Sequence, residues 1–140
     1  LKVVVTSRSF AKSTVLREEL LRLFPNSVFN EDDKKLFGKE LIKFINDADA
    51  AIVGVETIDR SVLEHTPELK IISKYGVGLD NIDQESLKNR DIFLGWTGGT
   101  NKRSVSELTL CFMLGLCRNV FGSSFKLKKL EWEKDGGHQL

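Results

Sequence analysis

The chain has almost no excess charge of either sign. Its 140 residues carry 21 basic and 20 acidic side chains, a formal charge of +1. That balance excludes a protein built as a basic surface for nucleic acid or an anionic membrane. Lys102-Arg103 and Lys126, Lys128, Lys129 are local clusters, and the last three read as a solvated face. Cysteine is scarce as well, with only Cys111 and Cys117. They fall in one apolar helical stretch and point to different sides of it, which disfavours a disulfide. The expectation is buried free thiols in a reducing compartment, hence a cytoplasmic protein. No apolar run approaches the ~20 residues that span a bilayer. No signal-peptide pattern opens the chain. The two histidines, His65 and His138, lack carboxylate or thiolate partners at metal-ligand spacing and read as surface residues. No Ser-His-Asp set, Cys-His pair, internal repeat or low-complexity tract stands out.

What is present is ordinary for a globular domain: 41% hydrophobic and 29% charged residues. The length suits one domain with a substantial core. The chain opens almost directly in an apolar strand and stops on Gly136-Gly137-His138-Gln139-Leu140 without a terminating element, so it reads as a piece of something longer.

Strands and helices alternate along the first hundred residues. A strand over 2–6 leads to a helix that Ser13 caps, running to about Phe24 with Val15, Leu16, Leu20, Leu21 and Leu23 as its apolar side. Pro25-Asn26 ends it. A short strand spans 27–30, and the charged run 31–35 reads as loop. A helix over 38–47 offers Leu41, Ile42, Phe44 and Ile45 for burial. Residues 50–55 form a strand without alternation, expected to be buried on both faces. A short helix lies near 60–65. Ile71-Ile72 is expected to be a buried strand, followed by a helix at 84–89 and a strand at 92–95. This order predicts an α/β fold, a parallel sheet with helices on both faces. Ligands of such sheets sit beyond the carboxyl ends of the strands. Glu56, residues 75–78 and residues 96–101 all fall at such ends.

From Ser104 to Phe121 the pattern reads as one long helix, apolar nearly all round and so expected to be buried on every side. Ser104 is the expected N-cap, with Glu107 completing a capping box.

The most informative motif is Tyr75-Gly76-Val77-Gly78-Leu79-Asp80-Asn81-Ile82-Asp83. Gly76 and Gly78 let the backbone turn with bare amides exposed, able to hold a carboxylate or phosphate. Asp80, Asn81 and Asp83 offer oxygens to start the next helix. As a dinucleotide fingerprint the loop is poor: Asn81 replaces the third glycine, and Thr97, Gly98 and Gly99 stand where the ribose-binding acid belongs. A glycine turn serving chain reversal alone is the bland alternative.

This motif resembles the substrate loop of the D-isomer-specific 2-hydroxyacid dehydrogenases. Trp96-Thr97-Gly98-Gly99-Thr100-Asn101 and Ser104-Val105-Ser106-Glu107-Leu108-Thr109-Leu110 resemble that family's second block, in the same order and spacing. The resemblance covers nearly the whole chain. It implies a flavodoxin-like substrate-binding domain over 1–100. A linking, dimerising helix and an extended arm over 101–140 would then lead to a nucleotide-binding domain.

It further implies that Tyr75, Gly76, Val77 and Gly78 bind the carboxylate of a small 2-hydroxy or 2-oxo acid, with the Val77 and Gly78 amides holding it. Asn101 would reach substrate or cofactor. Ser104 and Val105 would face the cofactor, Val105 near the nicotinamide. Glu56-Thr57 sit where some members carry Arg-Ser for a substrate phosphate, which a carboxylate would repel. Gly98 replaces a usual proline, which should loosen its loop. The cofactor would be NAD or NADP in the full-length parent. The family's dinucleotide fingerprint and its catalytic arginine, glutamate and histidine belong further along than residue 140. The expected assembly is a homodimer through residues 104–121, with the stretch 122–140 as an arm over the partner. A non-catalytic anion-binding or regulatory α/β module remains the alternative. A response-regulator receiver fits worse, because the first strand ends in Thr6-Ser7 rather than in acids.

Overall fold

A computed structural model of the chain describes residues 1–133 and 136–140. It separates into two compact units, Leu1–Gly98 and Gly99–Leu140.

In the first unit β1 (Val3–Val5), β2 (Val28–Phe29), β3 (Ala50–Val53), β4 (Ile71–Lys74) and β5 (Phe93–Gly95) form one sheet. Its order is β2-β1-β3-β4-β5 and every neighbouring pair is parallel. This is the flavodoxin-like order, and it reverses direction between β1 and β3. The connections carry α1 (Arg8–Ala11), α2 (Thr14–Leu23), α3 (Gly38–Ile45), α4 (Arg60–Glu64) and α5 (Gln84–Asn89).

The pleat sorts the side chains. Val4, Ala51, Val53 and Ile72 face the larger core, where Leu41 and Ile45 of α3, Val62 and Leu63 of α4 and Leu87 of α5 meet them. Val5 and Ile52 face the other side, against Phe10, Ala11, Leu20, Leu21 and Phe29. Helices therefore cover both faces. Asp83 caps α5 by accepting the Ser86 amide at 3.0 Å, and Ser13 caps α2 by accepting the Leu16 amide at 3.4 Å.

Several burial expectations are corrected. Ile71 is 39% exposed beside fully buried Ile72, because the apolar cluster on its face ends at Ile52. The 50–53 strand alternates buried and half-buried residues rather than burying both faces. Val15 and Leu23 lie on the outside of α2, 65% exposed each, so its packed side is Leu20 and Leu21.

The second unit holds α6 (Lys102–Cys117) and α7 (Val120–Lys128), bent by 69° where they meet. One helix over 104–121 is therefore two. Asn119 takes left-handed φ at 49°, and the Phe121 ring folds over Gly115. A Cβ on Gly115 would come 2.5 Å from that ring, so a larger residue there would displace the ring. The arm expected over 122–140 begins as the greater part of α7; residues 134 and 135 of it lie outside the described residues.

Helix α6 begins before Ser104, so Ser104 is not its N-cap and there is no capping box. Asn101 holds the cap position without a side-chain bond, and Glu107 pairs with Arg103 at 3.0 Å. Nor is the helix buried on every side. Leu108, Phe112 and Leu116 are among its exposed residues, and Gly115 is the buried one. The thiols follow suit: Cys111 is exposed and Cys117 half-buried. Among the described residues no single helix is long and apolar enough to cross a membrane.

Candidate functional site

At the point where the strand order reverses, the carboxyl ends of β1 and β3 open a cleft of about 370 Å³. Parallel sheets of this kind place ligands there. Ser7, Arg8, Ser9 and Lys12 form one wall. Gly54, Val55, Glu56 and Tyr75 form the opposite wall, and Asp33 lies at the edge. Asp33 takes Lys12 Nζ at 2.7 Å, and that bond holds its carboxyl below the usual range. The Tyr75 ring packs edge-on against Phe10 with centroids 5.3 Å apart.

Beyond Tyr75 the backbone leaves β4. The Tyr75 amide still donates to the Val53 carbonyl at 2.8 Å. Gly76 then turns at φ +141°. Among the described residues, the amides of Gly76, Val77 and Gly78 donate to no protein acceptor. Successive free N–H groups at a strand end are the donor set an anion requires. A Cβ on Gly78 would lie 2.8 Å from Asp80 Oδ1, so a larger residue there requires the Asp80 side chain to shift. The loop does not open a helix directly, since α5 starts at Gln84 under its Asp83 cap. A pyrophosphate cradle of the Gly-x-Gly-x-x-Gly kind, which needs a helix N-terminus behind the glycines, does not fit here.

Three strand ends are tied together behind this loop. Glu56 is 1% exposed, and its Oε2 accepts from Thr6 Oγ1 at 2.9 Å and from the Gly54 amide at 2.8 Å. Its other oxygen is buried without a partner among the described residues. The carboxylate is buried at the cleft wall, and Val55 is its exposed neighbour.

Asn81 does not start the next helix. Its Nδ2 donates to the carbonyls of Glu56 and Gly54 at 2.5 and 3.2 Å. Lys74 Nζ donates to the Gly54 carbonyl at 2.5 Å and to Asn81 Oδ1 at 2.7 Å. Burial pulls the Lys74 pKa below the usual lysine value, and the charges of Asp80 and Glu56 oppose that shift. On the other side of the loop, Trp96 Nε1 donates to the Val77 carbonyl at 3.0 Å. The indole lies over Gly98, where a Cβ would come 2.8 Å from Cη2. Gly98 therefore admits the tryptophan that pins the loop, rather than only loosening its own segment.

Of the sequence-predicted site residues, Tyr75 lines the cleft, and Gly76, Val77 and Gly78 continue from it. Asn101, Ser104 and Val105 belong to the second unit. Asn101 precedes α6, and its carbonyl accepts the Val105 amide at 3.0 Å. All three are exposed, Val105 by 51%. Sequence reasoning missed Lys74, the Trp96 bond and the wall formed by residues 7–12. The first two rest on contacts between segments distant in sequence. The third had a signal in the run Ser7-Arg8-Ser9, polar residues directly after a buried strand.

The sequence model for the catalytic domain of D-isomer specific 2-hydroxyacid dehydrogenases matches residues 4–131. D-3-phosphoglycerate dehydrogenase of Methanocaldococcus jannaschii is 33% identical over 120 residues, 85% of this chain and 23% of that protein. Hydroxypyruvate reductase of Thermotoga maritima is 36% identical over 96 residues, 68% of this chain and 31% of that protein. The chain thus spans less than a third of the length of these relatives. Among solved structures, NAD+-bound 3-phosphoglycerate dehydrogenase from Entamoeba histolytica superposes with a TM-score of 0.74 at 26% identity. That match covers 100% of this chain and 43% of the other.

Proposed function

The chain belongs to the D-isomer specific 2-hydroxyacid dehydrogenase family, and from that premise we propose that it supplies the substrate grip of an NAD- or NADP-dependent oxidoreductase. The reaction interconverts a small D-2-hydroxy acid and its 2-oxo acid. The observation that carries this reading is the row of free amides at Gly76, Val77 and Gly78, beside the cleft at the strand reversal. A substrate carboxylate accepts from those amides, and the rest of the molecule extends past Tyr75 into the cleft. The fixed orientation of the amides matters more than their number, because donors held in place need no reorganisation when the anion arrives.

Bound nicotinamide would give or take the hydride, and Asn101, Ser104 and Val105 are the residues of this chain assigned to face substrate or cofactor. Residues 1–140 by themselves grip substrate without turning it over. The exposed apolar side chains of α6 and α7 form a homodimer contact in this reading, and the compartment is the cytoplasm.

The test is amide NMR on the labelled chain. Glyoxylate is added, with neutral glycolamide as the control. Shifts at Gly76, Val77 and Gly78 with glyoxylate alone support the reading. Shifts confined to other residues, or equal shifts with glycolamide, rule it out.

A further inference from the structure

We propose that Lys74 is a positioning residue for the substrate loop, acting through Asn81 and the Gly54 carbonyl. The inference rests on the proposed carboxylate site at residues 76–78 and deepens it.

The geometry is that of a staple. Lys74 is the last residue of β4, and its side chain runs beneath the turn that follows. A Cβ built on Gly76 would sit 3.5 Å from Lys74 Cε, so the lysine stem underlies the glycine that turns the loop. The ammonium group crosses to the loop after β3 and donates to the Gly54 carbonyl. It also donates to Asn81, which closes the far end of the glycine loop. Asn81 then donates back to the β3 loop at Gly54 and Glu56. Both ends of the segment 75–81 are thereby fastened to one neighbour. The segment between them holds the free amides. Removing the staple leaves the amides in place chemically and lets them lose their common aim.

The same ammonium carries a charge. The charged groups that face it are Glu56, from the loop after β3, and Asp80, from its own loop. Glu56 is held by Thr6 and Gly54 inside the protein. A positive group directly under an anion-binding loop favours the bound carboxylate at a distance, without touching it.

Coupling of this kind is reciprocal. A carboxylate bound at 76–78 must raise the Lys74 pKa by the same factor by which deprotonating Lys74 weakens carboxylate binding.

The experiment has two arms on the 140-residue chain. The first needs no ligand: order parameters of the Gly76, Val77 and Gly78 amides are compared in the unaltered chain, Lys74→Met and Lys74→Arg. Lys74→Met is expected to loosen all three, with partial restoration in Lys74→Arg. Unchanged order in a folded Lys74→Met overturns the proposal, whether or not glyoxylate binds. The second arm follows the Lys74 Cε resonance against pH, with and without glyoxylate, in the unaltered chain, and so needs no variant to fold. The titration is expected to move to higher pH with glyoxylate, by about a tenfold change in the proton affinity of Lys74. A Lys74 titration unmoved by glyoxylate that demonstrably shifts the 76–78 amides overturns the charge component. If the unaltered chain shows no shifts at 76–78 at all, the carboxylate site itself fails, and that result is distinct from failure of the staple.

Discussion

Thr6 and Glu56, fifty residues apart in sequence, meet in the buried interior with Oγ1 donating to Oε2 at 2.9 Å. That bond joins the end of β1 to the loop after β3, the two edges of the cleft. The same carboxylate oxygen accepts the Gly54 amide. Glu56→Ala leaves the Gly54 amide without its acceptor and leaves the Thr6 hydroxyl only the Ile52 carbonyl at 3.3 Å; it is expected to destabilise the chain by about 1–3 kcal/mol, since a buried unsatisfied donor costs more than a bond gains. Thr6→Val is expected to cost less, because Gly54 keeps its partner. The double variant should cost less than the sum of the two, as groups in one network do. Urea denaturation of the four proteins measures this, and strict additivity would show that the bond does not couple the strands.

Ile71 and Ile72 give a test of the pleat. Ile72 is fully buried and Ile71 is 39% exposed. Ile72→Ala is expected to cost about 2–5 kcal/mol and Ile71→Ala less than about 1 kcal/mol. Equal losses in urea midpoint would mean that the second face of β4 is covered in solution.

That contrast also marks what the sequence could reveal. The run Ile71-Ile72 announces a strand but not which face is covered, because cover is supplied by helices elsewhere in the chain. Features with a local cause were legible. The Asp83 cap and the helix Gln84–Asn89 follow from neighbouring residues, and the strand-helix alternation dictates the parallel sheet. Features with a distant cause were not. Nothing near Phe121 says that its ring will settle on Gly115 and end a helix the hydropathy pattern continues. Asn81 looks like a helix starter in its own neighbourhood, and only the fold brings the Glu56 and Gly54 carbonyls to it. The four-residue α1 is too short for periodicity to reveal, yet it supplies a wall of the cleft.

Acid should loosen the first unit through its hydrogen-bonded carboxylates. Asp83 is held below the usual carboxylate range by the Ser86 hydroxyl and then the Ser86 amide. Asp49 is held low by the Lys2 amide and then by Lys70. A carboxyl with a lower pKa folded than unfolded binds protons more readily in the unfolded state, so stability rises with pH across that interval. The contribution is complete above the ordinary carboxylate range, about pH 4, and is lost as pH falls through the folded value. Urea midpoints at pH 6, 4 and 3 should fall in that order. Asp83→Asn should flatten the dependence, and an unaltered slope would remove Asp83 from the account.

Gly76 occupies backbone space closed to side chains. Its φ of +141° lies outside what an L-residue adopts without strain, so Gly76→Ala is expected to cost about 1–3 kcal/mol or to flip the loop. Either response turns the amides away from a common anion. Glyoxylate shifts at Val77 and Gly78 should disappear in this variant. Gly136→Ala serves as the control, because a Cβ there meets nothing within 4 Å. Retention of glyoxylate binding in Gly76→Ala would show that the turn conformation is not what aims the amides.

The exposed stripe on α6 predicts association. Leu108 and Phe112 are one helical turn apart on the same face, 53% and 50% exposed. Apolar side chains in such numbers on one helix pair are costly to leave in water, and a second copy of the chain offers a matching surface. Analytical ultracentrifugation of residues 1–140 is expected to give a dimer. Replacing Leu108 and Phe112 together with glutamate should give a monomer whose far-ultraviolet circular dichroism is unchanged, because neither side chain is buried within its own chain. A monomer in the unaltered protein across the micromolar range would refute self-association through this face. A dimer that survives the double replacement would move the contact elsewhere, with the exposed side chains of α7, Phe125 at 68% among them, as the next surface to alter.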